Sequence, residues 1–137
     1  MSELYKSRFD KLNNEQKQAV ESIYGPTMVI AGPGAGKTEL LSLRIANILS
    51  SIDVNPEEIL CVTFTDAAAS NLKERLASII GPAALRVNIC TFHSFAQSLI
   101  SSYRDFFKEK SDYQMCDDIM RLDILTQAIS DLMPIMT

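Results

Sequence analysis

Short apolar runs along this chain alternate with longer stretches in which apolar residues recur every three or four positions. The runs of strand length lie at 28–31, 59–64 and 86–90. The periodic stretches, which predict helices, cover 12–23, 37–50, 67–76, 94–103 and 117–129. Apolar runs are typical of buried parallel strands, and a helix between two such strands makes a right-handed crossover. We therefore predict an α/β fold, a parallel sheet flanked by helices, with a helical segment at the C-terminal end.

Capping and breaking residues mark the ends of several of these elements. Gly25-Pro26 and Gly81-Pro82 follow helical stretches, as helix-stopping residues do. Asn13, with Gln16 three positions later, matches a capping box at the start of the first predicted helix. The Gln16 amide could also bind the edge of an adenine base. Gln16 therefore has two candidate roles, helix capping and base recognition.

A glycine-rich loop at 31–38 joins the first predicted strand to the following helix. Its sequence, Ala-Gly-Pro-Gly-Ala-Gly-Lys-Thr, differs from the strict phosphate-loop pattern only at Ala31, where that pattern has glycine. Glycines allow backbone N–H groups to turn toward a polyphosphate, and the helix that follows adds its positive end. Lys37 would then reach the β- and γ-phosphates while the Thr38 hydroxyl binds Mg²⁺. The loop predicts a nucleotide-binding site.

The charge distribution leaves nucleic acid open as a partner. The net charge is −4, but residues 1–104 carry ten basic and ten acidic side chains, whereas residues 105–137 carry three and seven. The acidic excess thus lies in the tail, whose amphipathic helical stretch carries no chemical motif. The three cysteines lack the spacing of a zinc site or a disulfide framework, and we expect Cys61 and Cys90, which fall in strand runs, to be core thiols.

The distribution of apolar residues also bears on where the protein resides. At 47% of the chain they suffice for a core, but no segment has the roughly 20 in succession needed to cross a bilayer. The N-terminus has no signal-peptide apolar region. We expect a cytoplasmic protein with no membrane partner.

Four segments together resemble motifs of the superfamily 1 DNA helicases of the UvrD/Rep type, a group that includes the motor subunits of RecB- and AddA-like nucleases. Residues 12–20 resemble the adenine-reading Q motif, and residues 31–38 resemble motif I, in which alanine is usual at the first position. Residues 62–69, Val-Thr-Phe-Thr-Asp-Ala-Ala-Ala, resemble motif Ia, and residues 91–95, Thr-Phe-His-Ser-Phe, resemble motif Ib. The order and spacing of the segments agree as well.

The resemblance implies a P-loop NTPase fold of the RecA-like class, with ATP and Mg²⁺ as cofactors and Thr38 as the metal ligand. Lys37 and Thr38 would be the catalytic residues. The residues implied at the nucleotide are Gln16, Gly32, Gly34, Ala35, Gly36, Lys37, Thr38 and Glu39. Those implied at single-stranded DNA are Thr63, Phe64, Thr65, Thr91, Phe92, His93 and Ser94. Phe64 would stack on a base, and the hydroxyls and His93 would meet backbone phosphates.

Two positions depart from the family pattern. Many relatives have Asn-Lys where this chain has Asp66-Ala67, so a basic DNA contact is missing and the sequence is closer to the RecB/AddA branch. Many UvrD-like members carry an arginine that stacks on adenine directly after the loop threonine, where this chain has Glu39. We therefore expect weaker nucleotide binding. For His93, the alternative to a DNA contact is a structural role as a hydrogen-bonded histidine.

Hydrolysis of ATP needs an acidic pair for Mg²⁺ and water, and an arginine for the transition state. The sequence after Thr38 contains no strand run that ends in adjacent acids; in the family these groups lie C-terminal to the segment that this chain matches. We therefore expect this chain to be the N-terminal fragment of an ATP-dependent DNA helicase. Residues 1–104 would form half of the first motor domain, so the sheet would be incomplete. Residues 105–137 would form the start of an inserted helical subdomain.

The complete protein, with its remaining helicase domains, would move 3′ to 5′ on single-stranded DNA and unwind duplex. The fragment would bind nucleotide weakly without turning it over, and its unpaired strand edges would favour self-association. Two alternatives come from other classes of protein. A stand-alone regulatory module would bind nucleotide without hydrolysis or DNA affinity, and a small P-loop kinase would need an arginine cluster that the scattered arginines do not form.

Overall fold

The computed structural model describes residues 2–107 and 116–132. It divides into two compact units, Met1–Gln97 and Ser98–Thr137. The parts of the predicted C-terminal segment at 108–115 and 133–137 lie outside the described residues. None of the helices in the two described ranges has the length and hydropathy required to span a membrane.

The first unit is mostly helical and contains one small sheet. Its helices are α1 (Glu3–Asp10), α2 (Asn14–Glu21), α3 (Lys37–Ser51) and α4 (Asp66–Ile80), its strands are β1 (Leu60–Thr63) and β2 (Asn88–Thr91), and α5 (Phe92–Ser102) begins within it. Short 3-10 turns at Pro56–Glu58 and Gly81–Arg86 precede the two strands. In the second unit, a 3-10 turn at Arg104–Phe107 and helix α6 (Asp118–Leu132) are the described elements.

The two strands are parallel, as the sequence predicts. Leu60 pairs with Asn88 and Thr63 with Thr91, and α4 forms the crossover between them. Cys61 and its partner Ile89 are buried on the same face of the sheet. Burial raises the pKa of the Cys61 thiol, with a smaller contribution from Cys90. Cys61 is therefore a core thiol, whereas Cys90 is only half-buried.

The core lies where α3 and α4 pack against each other and where α4 packs against the sheet. Leu43 of α3 and Leu72 and Leu76 of α4 are fully buried, as is Val20 of α2. Burial of one such side chain contributes about 1.5–3 kcal/mol relative to its exposure. The helical periodicity of 37–50 and 67–76 thus presents its apolar stripe to this core, as predicted.

The prediction of a strand at 28–31 is wrong, because this segment belongs to no sheet of the described residues. Met28 is 85% exposed and Ile30 is 89% exposed. The reason is physical, because an extended segment becomes a strand only when its backbone pairs with a neighbour, and the described sheet consists of β1 and β2 alone. The expectation of three strands in one parallel sheet is corrected to two, so the structure is mixed α/β with a small sheet.

The predicted helix ends are largely confirmed. Asn13 caps α2 in a complete capping box with Gln16, and Gly81, with φ +69°, ends α4. Helix α5 begins at Phe92, two residues before its predicted start. The periodicity did not reveal α1, which Ser2 caps by accepting a hydrogen bond from the Tyr5 N–H.

Candidate nucleotide site and strand ends

The glycine-rich loop owes its shape to two left-handed residues. Gly34 has φ +75° and Gly36 has φ +73°, values that side-chain-bearing residues rarely adopt. Between them, the Ala35 N–H donates to the Gly32 carbonyl oxygen at 3.3 Å. A Cβ at Gly32 or Gly34 would meet no atom within 4 Å. The loop therefore needs glycine at 34 and 36 for its backbone angles, and its surface is open to a ligand.

Helix α3 begins directly after this loop with its backbone amides uncapped. No side chain from the described part of the chain caps it, and its first internal hydrogen bond runs from the Leu40 N–H to the Gly36 carbonyl at 2.9 Å. The N–H groups of Lys37, Thr38 and Glu39 precede that bond, so they have no partner within the helix. Unpaired amides together with the helix dipole favour an anion at this position.

The side chains of Lys37 and Thr38 add a cation and a hydroxyl to these amides. The Lys37 Nζ lies over the loop, donating to the carbonyl oxygens of Ala31 at 3.1 Å and Gly32 at 2.7 Å. Thr38 is exposed in the first turn of α3. This donor set fits a polyphosphate. For Mg²⁺ it offers one hydroxyl oxygen, which suits an ion that takes most of its ligands from phosphate and water.

Gln16 caps α2, as one of its two predicted roles requires, and it also connects α2 to the loop. Its Oε1 accepts from the Asn13 N–H at 3.0 Å, and its Nε2 donates to the Ala35 carbonyl oxygen at 3.2 Å. A primary amide offers two donor hydrogens and two acceptor lone pairs, so one of each remains for a ligand. Gln16 also lines a cavity of about 320 Å³ together with Asn13, Ile30, Gly32, Ala35 and Lys37.

Glu39 is held by two arginines that the sequence did not suggest. Its Oε1 lies 3.5 Å from Nη1 of Arg8 on α1, and its Oε2 lies 2.9 Å from Nη1 of Arg75 on α4. The partners are 31 and 36 residues distant in the chain, so only the packing of α1 and α4 beside α3 brings them together. Arg75 is itself fixed by a 2.7 Å hydrogen bond from its Nε to Asn71 Oδ1.

A third arginine that sequence reasoning missed contacts the segment before the loop. Arg44 of α3 donates to the Ala19 carbonyl oxygen and, at 3.5 Å, to Thr27 Oγ1. Thr27 and Val29 line a cavity of about 300 Å³ with Lys37, Leu40, Leu41 and Arg44. The segment before the loop is thus tied to α2 and α3 by side chains instead of by strand pairing.

The ends of β1 and β2 present two aromatic rings. Phe64 follows β1 and is 87% exposed, and Phe92 follows β2 and is 51% exposed. Their ring centroids lie 5.2 Å apart with an interplanar angle of 50°. The parallel register places Thr63 beside Thr91, and this pairing is what brings the two rings together. An exposed aromatic pair of this kind is a suitable stacking surface for an unpaired base.

The hydroxyl groups beside these rings are largely engaged within the protein. Thr63 Oγ1 donates to the Thr65 carbonyl oxygen at 2.9 Å, and Thr65 Oγ1 caps α4 by accepting from the Ala68 N–H at 3.2 Å. Thr91 is buried, and its Oγ1 lies 2.9 Å from Ser94 Oγ and accepts from the Ser94 N–H. Thr91 and Ser94 therefore stabilise the start of α5.

His93 differs from those hydroxyls. It is exposed in the first turn of α5 and has no hydrogen-bonding partner in the described ranges. The structure thus gathers the predicted residues into two groups, one around the loop and one at the strand ends. The roles predicted for them at nucleotide and DNA stay predictions.

Comparison with known proteins assigns the chain to a family. The UvrD/REP helicase N-terminal domain matches residues 12–135. The ATP-dependent DNA helicase PcrA of Bacillus subtilis is 37% identical over 114 residues, which is 83% of this chain and 15% of that helicase. The ATP-dependent DNA helicase PcrA of Staphylococcus aureus is 32% identical over 120 residues, 88% of this chain and 16% of that protein. The chain therefore spans about one sixth of such relatives, and it belongs to the UvrD/REP helicase N-terminal domain family.

Proposed function

We propose that this chain forms one side of the nucleotide-binding site of an ATP-dependent DNA helicase motor. The complete protein would have a P-loop NTPase fold of the RecA-like class. Residues 1–104 would form half of the first motor domain, and 105–137 would begin an inserted helical subdomain. The complete protein would translocate 3′ to 5′ on single-stranded DNA and unwind duplex, in the cytoplasm. The family assignment and the names of the relatives support this proposal.

The observation that carries the proposal is the uncapped start of α3 behind a loop with two left-handed glycines. Lys37, Thr38 and three unpaired amides converge there, and the Gln16 amide lies against the same loop at Ala35. We propose that the nucleotide set is Gln16, Gly32, Gly34, Ala35, Gly36, Lys37, Thr38 and the Glu39 position. Bound Mg²⁺ would supply charge neutralisation at the phosphates, and Lys37 would leave the loop carbonyls to bind them.

Mg-ATP binding by the 137-residue chain tests this site directly by isothermal titration calorimetry. A charged hydrogen bond contributes about 1.5–3 kcal/mol, so K37A should weaken binding by at least about tenfold. The matched control is K73A, which removes an exposed lysine of α4 and should leave affinity unchanged. Equal affinity for wild type and K37A would contradict a phosphate-loop site.

For DNA, we propose that Phe64 and Phe92 form the stacking surface. The exposed His93 would contact a phosphate, with smaller contributions from Thr63, Thr65, Thr91 and Ser94, whose hydroxyls already have partners. F64A should cost about 1–3 kcal/mol of binding free energy for an oligothymidine in fluorescence anisotropy. F106A removes an equally exposed ring from the second unit and is the control. Nucleotide binding without any DNA affinity would favour the regulatory-module alternative.

We further propose that the 137-residue chain binds ATP without hydrolysing it. Its sequence contains no strand run that ends in adjacent acids, and the described residues contain no cluster of three or more acidic, cysteine or histidine side chains able to hold a metal. Phosphate release with and without single-stranded DNA measures this. DNA-stimulated turnover by the isolated chain would contradict the proposal.

Self-association is the remaining proposal, and it rests on the unpaired segment at 28–31. Exposed apolar extended backbone favours pairing with another chain, and Ile30 is the most exposed side chain of the segment. I30K should therefore lower the apparent mass in light scattering over a concentration series. I119K, which changes an exposed isoleucine of α6, should not. A wild-type monomer at all concentrations would contradict this proposal.

A further inference from the structure

In the described part of the chain, three helical elements carry a glutamine or glutamate at the third position after the N-cap, and two of them use it in the same way. In α2, Gln16 Oε1 accepts from the N–H of the N-cap residue Asn13 at 3.0 Å. In the 3-10 turn Pro56–Glu58, Glu58 Oε2 accepts from the N–H of its N-cap Asn55 at 2.7 Å. Such reciprocal capping satisfies backbone amides from within the chain.

Glu39 occupies the same position relative to Gly36, the N-cap of α3. Gly36 is left-handed, with φ +73°, whereas the two asparagine N-caps are extended, so α3 lacks the N-cap geometry of a capping box. Both carboxylate oxygens of Glu39 are instead engaged by guanidinium groups, Oε1 by Arg8 and Oε2 by Arg75. The Glu39 side chain is only 24% exposed, and the arginines come from helices on two other parts of the chain. The result is that α3 has no side-chain cap and that the charge of Glu39 is paired with residues of α1 and α4.

The position of this carboxylate matters for an anionic ligand. A Glu39 carboxylate without its two arginines would be free to approach the start of α3, where the amides and the helix dipole favour an anion. It would place a negative charge beside the Lys37 and Thr38 amides. The carboxylate and a phosphate would therefore compete for the same groups.

We propose that Arg8 and Arg75 are positioning residues for the phosphate loop: they hold the Glu39 carboxylate away from the start of α3 and so keep its backbone amides available to a triphosphate. This inference rests on the nucleotide site proposed above. It assigns a role to α1, through Arg8, and to α4, through Arg75. Neither arginine needs to touch the ligand.

The test uses the 137-residue chain with arginines removed and then Glu39 neutralised. R8Q/R75Q frees the carboxylate to approach the start of α3, and Mg-ATP affinity should fall by about fivefold to tenfold, the range expected when a carboxylate competes at a helix N-terminus. Adding E39Q in R8Q/R75Q/E39Q should restore most of that loss. R75Q alone, which keeps the Arg8 contact, should show a smaller loss in the same direction.

Charge alone could produce part of this rescue, so a charge-matched variant is included. R8Q/R75Q/E74Q has the same formal charge as R8Q/R75Q/E39Q, but it neutralises the exposed Glu74 of α4 and leaves the Glu39 carboxylate charged and free to approach α3. It should bind Mg-ATP as weakly as R8Q/R75Q. Rescue by E74Q equal to rescue by E39Q would overturn the proposal, as would an unchanged affinity in R8Q/R75Q.

A second measurement separates this inference from the nucleotide site itself. Without any nucleotide, hydrogen exchange at the Lys37 and Thr38 N–H groups should slow in R8Q/R75Q, because the Glu39 carboxylate can now lie beside them, and should return to the wild-type rate with E39Q. If the wild-type chain fails to bind Mg-ATP, the proposed site is wrong but this exchange result still decides the positioning role. Exchange at these two amides that is equal in all variants would overturn it.

Discussion

The chain contains two segments with the same sequence pattern and different outcomes. Residues 28–31 and β1 are both apolar runs of strand length followed by a loop and a 15-residue helix, α3 and α4 respectively. β1 pairs with β2 and is covered by α4, whereas 28–31 pairs with no strand in the described part of the chain and exposes Met28 and Ile30. An apolar, β-branched sequence thus favours an extended backbone, but a strand forms only where a neighbouring strand is available for hydrogen bonding.

The two helices that follow differ in a complementary way. Thr65 caps α4 by accepting from the Ala68 N–H, whereas α3 begins after Gly36 with no side-chain cap. A cap satisfies the first amides from within the protein, and its absence leaves them for a ligand. The helix that follows the unpaired segment is therefore the one whose first amides are available to the ligand proposed above. The following predictions test this contrast.

The largest expected difference in the free energy of unfolding is between alanine substitutions at two isoleucines. Ile89 of β2 is 4% exposed and Ile30 is 89% exposed. I89A should lower the free energy of unfolding by about 2–5 kcal/mol, because it removes buried methyl groups and leaves a cavity. I30A should change it by less than about 0.5 kcal/mol. Urea denaturation followed by circular dichroism measures both, and similar losses would show that 28–31 is packed in solution.

The second largest difference in stability is expected between alanine substitutions at two glycines of the loop. Gly36 has φ +73° whereas Gly32 lies outside the left-handed region. G36A should cost about 1–2 kcal/mol, since an L-residue in the left-handed region is strained, and G32A, with open space around its Cβ, should cost much less. Thermal unfolding without nucleotide compares them. A larger loss for G32A would mean that crowding, not backbone angle, limits the loop.

The two helix starts should respond differently to loss of a hydroxyl. T65A removes the cap of α4 and should lower stability by about 1 kcal/mol. T38A removes the exposed hydroxyl in the first turn of α3, where no side-chain cap exists, and should be nearly neutral without nucleotide. The free energies of unfolding from denaturant titrations give the answer. Equal losses would indicate that Thr38 stabilises α3 itself.

An ion pair at the amino ends of the strands should give the smallest effect. Arg86 Nε lies 2.5 Å from Glu57 Oε1, and this bond holds the pKa of the Glu57 carboxyl below its usual value of 4.5. A lowered folded-state pKa means that the pair stabilises the fold above the usual value and is lost as pH falls through the folded-state value.

E57Q should therefore be slightly less stable than wild type at neutral pH, with the difference disappearing in acid. Melting temperatures at a series of pH values measure it, and E74Q is the control. A difference that grows on acidification would have the wrong sign for this ion pair, which bridges the segments before β1 and β2 and has no counterpart at 28–31.

Local signals determined much of the fold. The capping box of Asn13 and Gln16, the stop at Gly81 and the apolar stripes of α3 and α4 depend on residues within one or two turns, so the sequence suffices to predict them. The parallel pairing of β1 and β2 follows from the crossover helix between them. Helix α1 escaped prediction because its buried contact, Tyr5, comes from packing instead of a clear apolar period.

The sequence by itself determined the family and predicted a phosphate-binding loop, because Lys37, Thr38 and the glycines would act through their own backbone and adjacent atoms. Only the tertiary structure decided that 28–31 remains unpaired, that Phe64 contacts Phe92, and that Arg8 and Arg75 meet at Glu39. These outcomes join residues about 30 positions apart, and their energies depend on which surfaces are brought together. No local pattern records that information, because pairing and charge contacts arise only when distant elements pack.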